Sequence, residues 1–223
     1  MEFDLWNTYY RSICSDLGID SQTDYDSAFS LNSLIEKRKP VWIQENLTDR
    51  VYVVGNGPDV EHVLKDLNMN GTVFVADSAI EKYLGIKGYP DYLFSDLDGP
   101  LKLIKKCSDE NVRLVVHAHG DNRKNIESYV PSLKVHMGTT QNRPVGVLRN
   151  FGGFTDGDRA AFFAHFFGAP EIILVGFDFS RPSVKEGSDY YRKAKKLKWA
   201  EILLSKLALM RGTSLKPGQV IRI

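Results

Sequence analysis

Apolar and polar positions fall into two regimes along the chain. Over residues 1 to about 45, Phe3, Trp6, Tyr10, Ile13 and Leu17 recur at steps of three and four, which places them on one helix face. "GIDSQTD" interrupts that pattern, and Ala28, Leu31, Leu34 and Ile35 predict a second helix before "KRKP", where Pro40 marks a boundary. Further on, the pattern changes to short apolar runs: "VYVV" (51–54), "TVFVA" (72–76), "YLF" (92–94), "RLVVHA" (113–118), "KVHM" (134–137) and "EIILVG" (171–176). Amphipathic stretches such as "DVEHVLKDL", "GPLKLIKKC" and "NRKNIESYV" separate them. Near-continuous apolar strands alternating with helices predict a doubly wound, mostly parallel sheet covered on both faces, a three-layer α/β/α fold. We therefore expect a helical segment over 1–45 and an α/β domain over 46–223.

Two late segments refine this picture. "DGDRAAFFAHFFGA" is apolar nearly all round, which predicts a deeply buried helix. A long helix over about 189–211 would carry Tyr190, Ala194, Leu197, Leu204 and Leu207 inward and its lysines outward, and "QVIRI" could add an edge strand.

Composition narrows the function classes. At 223 residues, 43% hydrophobic and 26% charged, the chain is long enough for a full core and ordinary for a globular protein. A net charge of +1 argues against a nucleic acid or an anionic membrane as main partner. Cys14 and Cys107 lie far apart, so neither a disulfide framework nor a zinc knuckle is indicated. "MEFDLWNTYY" has no signal-peptide pattern, and no apolar stretch approaches the ~18 residues of a membrane span. The expectation is a cytoplasmic protein acting on small molecules, with a homodimer left open.

The polar residues gather at the strand ends. "TVFVA" runs into Asp77-Ser78, "YLF" into Ser95-Asp96-Leu97-Asp98-Gly99, "RLVVHA" into His119-Gly120-Asp121-Asn122, "KVHM" into Gly138-Thr139-Thr140-Gln141, and "EIILVG" into Phe177-Asp178. In a doubly wound sheet the carboxyl ends of parallel strands share one edge, where ligands bind. Asp77, Asp96, Asp98 and Asp121 would converge there. Four crowded carboxylates call for a cation, and an all-oxygen set suits Mg²⁺ carried with a phosphate substrate.

Each motif also has a plainer reading. Asp98-Gly99-Pro100 alone would be a helix start. "GNGPD" (55–59) is either a turn or a backbone loop against a nucleotide, and it is not G-x-G-x-x-G. His117 and His119 share a strand face, but a zinc site lacks a third soft ligand nearby, so packing on a ligand is favoured. In "NFGGFTDGDRAAFF" the paired glycines allow close approach by a ligand, and Thr155 or Asp156 can cap the following helix. That helix start favours an anion, and Arg159 could fork a phosphate or pair with Asp156 or Asp158. Lys193, Lys195, Lys196 and Lys198 read as a solvated face, with contact to a polyphosphate as the lesser reading.

"VADSAIEKYLGIKGYPDYLFSDLDGPL" followed by "HAHGDN" resembles the thiamin pyrophosphokinase pattern. Together with "GNGPD", "GTTQ", "NFGGFTDGDRAAFFAHFFGA" and "ILVGFDF", residues 50 to 210 resemble more closely the archaeal-type 6-hydroxymethyl-7,8-dihydropterin pyrophosphokinases. The resemblance implies transfer of diphosphate from ATP, with Mg²⁺, to the hydroxymethyl oxygen of the dihydropterin, releasing AMP, in folate- or tetrahydromethanopterin-type pterin biosynthesis. It implies Asp77, Asp96, Asp98 and Asp121 as the metal set, and Gly55, Asn56, Gly57 and Ser78 beside the nucleotide. Thr139, Gln141, Asn150 and Thr155 become substrate hydrogen-bonding groups. Asp121 and Arg159 become catalytic, as proton acceptor and charge stabiliser. Phe151, Phe154, His119 and Phe177 lie in the neighbourhood of the acceptor ring. Asp98-Gly99 departs from the Asp-Ser of the thiamin enzymes. The rivals are thiamin as acceptor, a sugar-nucleotide transferase, and a non-catalytic nucleotide-binding module.

Overall fold

The computed structural model describes residues 1–37, 45–182 and 189–223. Two helices come first, α1 (Phe3–Leu17) and α2 (Ser21–Ile35). There follow β1 (Arg50–Val54), α3 (Val60–Asp66), β2 (Thr72–Ala76), α4 (Ile80–Lys87), β3 (Tyr92–Ser95), α5 (Leu101–Asp109) and β4 (Arg113–Ala118). Then come α6 (Arg123–Tyr129), β5 (Val135–Thr140), α7 (Asp156–Phe166), β6 (Glu171–Val175), α8 (Tyr190–Met210) and β7 (Val220–Arg222). The boundary expected at Pro40 lies outside the described residues.

The seven strands form one sheet in the order β5-β4-β3-β2-β1-β6-β7. All pairings are parallel except that of β7, which runs antiparallel to β6. The expected α/β/α architecture is therefore present. Alternate strand positions feed two cores, as a period of two requires. Tyr52, Val54, Val73, Val75, Leu93, Leu114 and Val116 join α2 through α6 on one face. Val51, Val53, Phe74, Tyr92, Phe94 and Val115 join α1, α7 and α8 on the other. The chain winds outward from β1 to β5 and then returns to β6 beside β1. The switch point of the sheet is thus the crevice between β1 and β6.

Both N-terminal helices are built into these layers. Gly18, with φ +63°, ends α1, and the Asp20 side chain caps α2 by accepting from Gln22 N–H at 2.9 Å. The Trp6 indole donates to the Gln141 carbonyl at 2.7 Å, which ties α1 to the carboxyl end of β5.

The segment over 156–166 is buried from Gly157 to Ala164, as its all-round apolar character predicts. Helix α8 corrects the sequence reading. Its buried residues begin at Ala200, while Tyr190 is 50% exposed. Its first turns extend past the sheet edge, so they cover a cavity instead of the core. Among the described residues no helix is long and apolar enough to cross a membrane.

Candidate active site

A cavity of about 530 Å³ runs along the carboxyl edge of the sheet. Just beneath its lining, between Ala76 and Ser78, Asp77 leaves β2 and is 1% exposed. Its Oδ2 accepts from Ser95 Oγ at 2.7 Å and from Gly99 N–H at 3.2 Å, whereas its Oδ1 is buried with no hydrogen-bond partner. Asp96, at the end of β3, and Asp156, at the start of α7, bring carboxylate oxygens within 4.8 Å of it and of each other. This is the one such group of His, Cys, Asp or Glu side chains among the described residues. An all-carboxylate group with an unpaired buried oxygen is the donor set a small hard cation takes.

Like charges this close cannot all ionise without a cation. Burial, reinforced by Asp96 and Asp98, pushes Asp77 up to about 7. Burial and the same neighbours hold the Asp156 carboxyl well above the usual carboxylate range. The cavity wall and the adjacent Asp96 push Asp98 up to about 6. Asp96 goes the other way. Burial opposes its ionisation, but the His119 hydrogen bond and charge outweigh that and hold it well below the usual range. His119 Nε2 lies 3.1 Å from Asp96 Oδ2, so facing an ionised Asp96 it carries a proton and donates it, and the Asp121 N–H lies 3.4 Å from Nδ1.

The four aspartates expected to converge are therefore not the four that do. Asp98 lines the cavity beside Asp96. The Asp121 side chain is 77% exposed and faces Arg192 Nη2 at 3.8 Å, outside the group. The physical reason is the short 3-10 turn after β4 (120–122), which points residue 121 to the rim. Asn122 faces inward instead, clamping the Asp96 carbonyl at 2.7 Å and the His117 carbonyl at 2.6 Å. Asp156 takes the vacated place, although the sequence reading gave it only a cap or ion-pair role. The signal was present in "FTDGD", where an acidic residue opens the buried helix.

Arg159 is 4% exposed and held within the wall: it donates to Asp156 Oδ1 at 2.7 Å and to the Phe154 carbonyl at 2.8 Å. Thr155 and Asp158 form the capping box of α7, with Asp158 accepting from Phe154 N–H and Thr155 N–H, both at 2.7 Å. Arg159, Phe154 and Thr155 all line the cavity. The paired glycines serve the protein before any ligand. A Cβ on Gly153, at φ +86°, would lie 2.5 Å from the Arg159 backbone.

At the β1/β6 crevice the same holds. A Cβ on Gly57 would lie 2.6 Å from the Gly176 carbonyl, to which Gly57 N–H donates at 2.7 Å. Gly55 and Gly157 leave room for the Phe177 ring between them. Gly55, Asn56, Gly57, Ser78 and Phe177 do line the cavity, and Asn56 Oδ1 is buried without a partner.

The remaining expected groups divide. Gln141 and His119 are on the cavity wall. Thr139 is buried beneath it, against His117 Nδ1 at 2.9 Å. Asn150 clamps the loop after β5, donating to the Gln141 and Asn142 carbonyls. Phe151 packs in the core against Phe163, Phe166 and Phe167. None of these last three is among the residues lining the cavity. Lys193 and Lys196, read as solvated, line it together with Arg192, while Lys195 pairs with Asp16 and Lys198 with Glu201. The turn between α1 and α2 also contributes wall residues, among them Ile19, Thr23 and Asp24, which the sequence reading left without a role.

Comparison with known proteins follows this geometry closely in extent. The family described as 6-hydroxymethylpterin diphosphokinase MptE-like matches residues 24–183. A 6-hydroxymethyl-7,8-dihydropterin pyrophosphokinase of Methanocaldococcus jannaschii is 37% identical over 234 residues, covering 93% of this chain and 96% of its own. The protein of the same name from Pyrococcus furiosus is 37% identical over 217 residues, covering 92% and 93%. That of Methanothermobacter thermautotrophicus is 38% identical over 184 residues, covering 80% and 79%.

Proposed function

This chain belongs to the MptE-like 6-hydroxymethylpterin diphosphokinase family, and from that premise we propose that it transfers diphosphate from ATP to the hydroxymethyl group of 6-hydroxymethyl-7,8-dihydropterin. The acceptor oxygen attacks the β-phosphorus and the bond from that phosphorus to the α–β bridging oxygen breaks. AMP leaves with the bridging oxygen, and the hydroxyl proton passes to a base. The product is a pterin diphosphate of the kind used for folate- or tetrahydromethanopterin-type cofactors, made in the cytoplasm where ATP is at hand.

The observation that carries this reading is the Asp77–Asp96–Asp156 group set into a cavity that Arg192, Lys193 and Lys196 also line. These three carboxylates would hold Mg²⁺, with Asp98 alongside. Bound there, the cation would neutralise charge on the transferring phosphates. The chain's own groups supply the rest. Lys193, Lys196 and Arg192 on α8 line the cavity as sites for the polyphosphate. Arg159 fixes the orientation of Asp156 from below, so its effect on the phosphates passes through that carboxylate. The crevice at Gly55–Gly57 supports the nucleotide, in keeping with its place at the switch point. Asp98, poised at about 6 on the cavity surface, is the proton acceptor we assign in place of Asp121.

The test is acceptor-dependent AMP formation from ATP and Mg²⁺, with the dihydropterin and thiamin offered in parallel. AMP with the pterin alone supports the reading. AMP with thiamin alone overturns the acceptor, and AMP with neither overturns the reaction.

A further inference from the structure

Asp24 is 1% exposed, yet it belongs to the wall of the same cavity as the carboxylate group. Its Oδ2 accepts from Tyr10 Oη and from Gln141 Nε2, each at 2.6 Å, and its Oδ1 accepts from Gly120 N–H at 2.6 Å. All three donors are neutral. A carboxylate has about four acceptor positions, so Oδ1 retains capacity. A buried carboxyl group served only by neutral donors is costly to maintain for packing alone.

The cavity is thereby divided by charge. Arg192, Lys193 and Lys196 face it from α8, whereas the α1–α2 turn offers Asp24 with Ile19 and Thr23. An anion is drawn to the first side and repelled from the second. What gains from Asp24 is a neutral ring with polarised N–H groups on one edge, such as a 2-amino-4-oxopyrimidine. The two sides meet at the turn after β4. Gly120, held by Asp24, follows His119, which donates to Asp96. Thr23 packs so closely on Gly120 that a Cβ there would lie 2.1 Å from its Oγ1.

Resting on the reading above, we propose that the N-terminal helical hairpin forms the acceptor subsite, and that Asp24 selects the acceptor by receiving an N–H of its 2-amino group. Gln141 and Tyr10 are positioning residues that orient the Asp24 carboxylate.

The experiment is a fluorescence titration of 6-hydroxymethylpterin and of its 2-oxo counterpart, 6-hydroxymethyllumazine, in which a carbonyl replaces the amino group. The wild-type protein should bind the pterin at least about tenfold more tightly, because the lumazine sets an acceptor against an acceptor. In Asp24→Asn the pterin affinity should fall about tenfold or more and the preference collapse towards one. Affinity for a non-hydrolysable Mg–ATP analogue should stay within about twofold of wild type. Equal binding of the two rings by the wild type overturns the proposal whether or not the variant folds. Retained preference in a folded Asp24→Asn overturns it too. AMP formation by the wild type is scored separately. Ring discrimination without AMP would keep the subsite and overturn the reaction.

Discussion

Gly99 and Asp77 are in contact so close that no side chain fits at residue 99: a Cβ there would lie 1.9 Å from Asp77 Oδ1 and 2.5 Å from its Cγ. The Gly99 N–H meanwhile donates to Asp77 Oδ2. The glycine therefore both supports the carboxylate and leaves it room. Gly99→Ala should displace Asp77 from the carboxylate group. Overpacking of this kind costs about 1–3 kcal/mol. We expect a lowered Tm and loss of the Tm increase on adding Mg²⁺. A variant that keeps wild-type turnover and the full Mg²⁺ response would show that Asp77 is not needed in this position.

Asp156 and Asp121 are separated by the same geometry. Asp156→Asn removes a member of the buried group, and its effect should exceed the ~10–100-fold loss typical of removing an outer-shell partner. Asp121→Asn touches an exposed carboxylate facing Arg192 and should stay within about threefold of wild type. Steady-state AMP release decides, and the reverse order of effects would restore the assignment made from sequence.

What the sequence made legible was whatever strand periodicity controls. Every apolar run became a strand, and the convergence of Asp77, Asp96 and Asp98 followed from parallel topology alone. Residues placed by loop conformation were not legible. Asp121 and Asn122 are neighbours in one short turn, and only their backbone geometry decides which faces inward. Asp156 reaches the group because α7 lies across the sheet, a tertiary fact. Asp24 comes from a helix far away in sequence. "GNGPD" reads equally as a turn or a nucleotide loop and "NFGG" as room for a ligand, and only the structure shows that Gly57 and Gly153 lie against neighbouring backbone and Gly55 against the Phe177 ring.

The raised carboxylates give a pH signature in the metal-free protein. Asp77 and Asp98 rise from 3.8 to about 7 and about 6, and Asp156 is raised as well. A group whose pKa is higher in the folded state contributes stability that is complete below its unfolded value and lost as pH rises through its folded value. Asp77 and Asp98 should therefore destabilise the metal-free protein progressively between about pH 4 and pH 7, and Asp156 adds to the loss in the same direction. Asp96, held low, has the opposite sign and matters only in acid. A divalent cation favours the ionised forms, so the Tm gain with Mg²⁺ should be larger at pH 8 than at pH 5.5. Thermal melts with and without Mg²⁺ at the two values measure this. An equal gain at both would mean that these carboxylates do not titrate on cation binding.

Ser95 links strand end to site through one hydroxyl. Its Oγ donates to Asp77 Oδ2 at 2.7 Å and accepts from Leu97 N–H at 2.9 Å. Leu97 has φ +64°, a left-handed conformation that branched side chains rarely adopt, and it is fully buried. The hydroxyl thus holds a strained turn in place while favouring the ionised form of Asp77. Ser95→Ala should leave the Leu97 N–H unpaired, at a cost of about 1–3 kcal/mol. It should also raise the Asp77 pKa further, because the bond it removes acts to lower it. The acid limb of Mg²⁺ binding should then move to higher pH, which a titration series from pH 5.5 to pH 8.5 can follow. A loss of stability with the limb unmoved would confine Ser95 to holding the turn. A moved limb with Tm unchanged would assign it to the carboxylate alone.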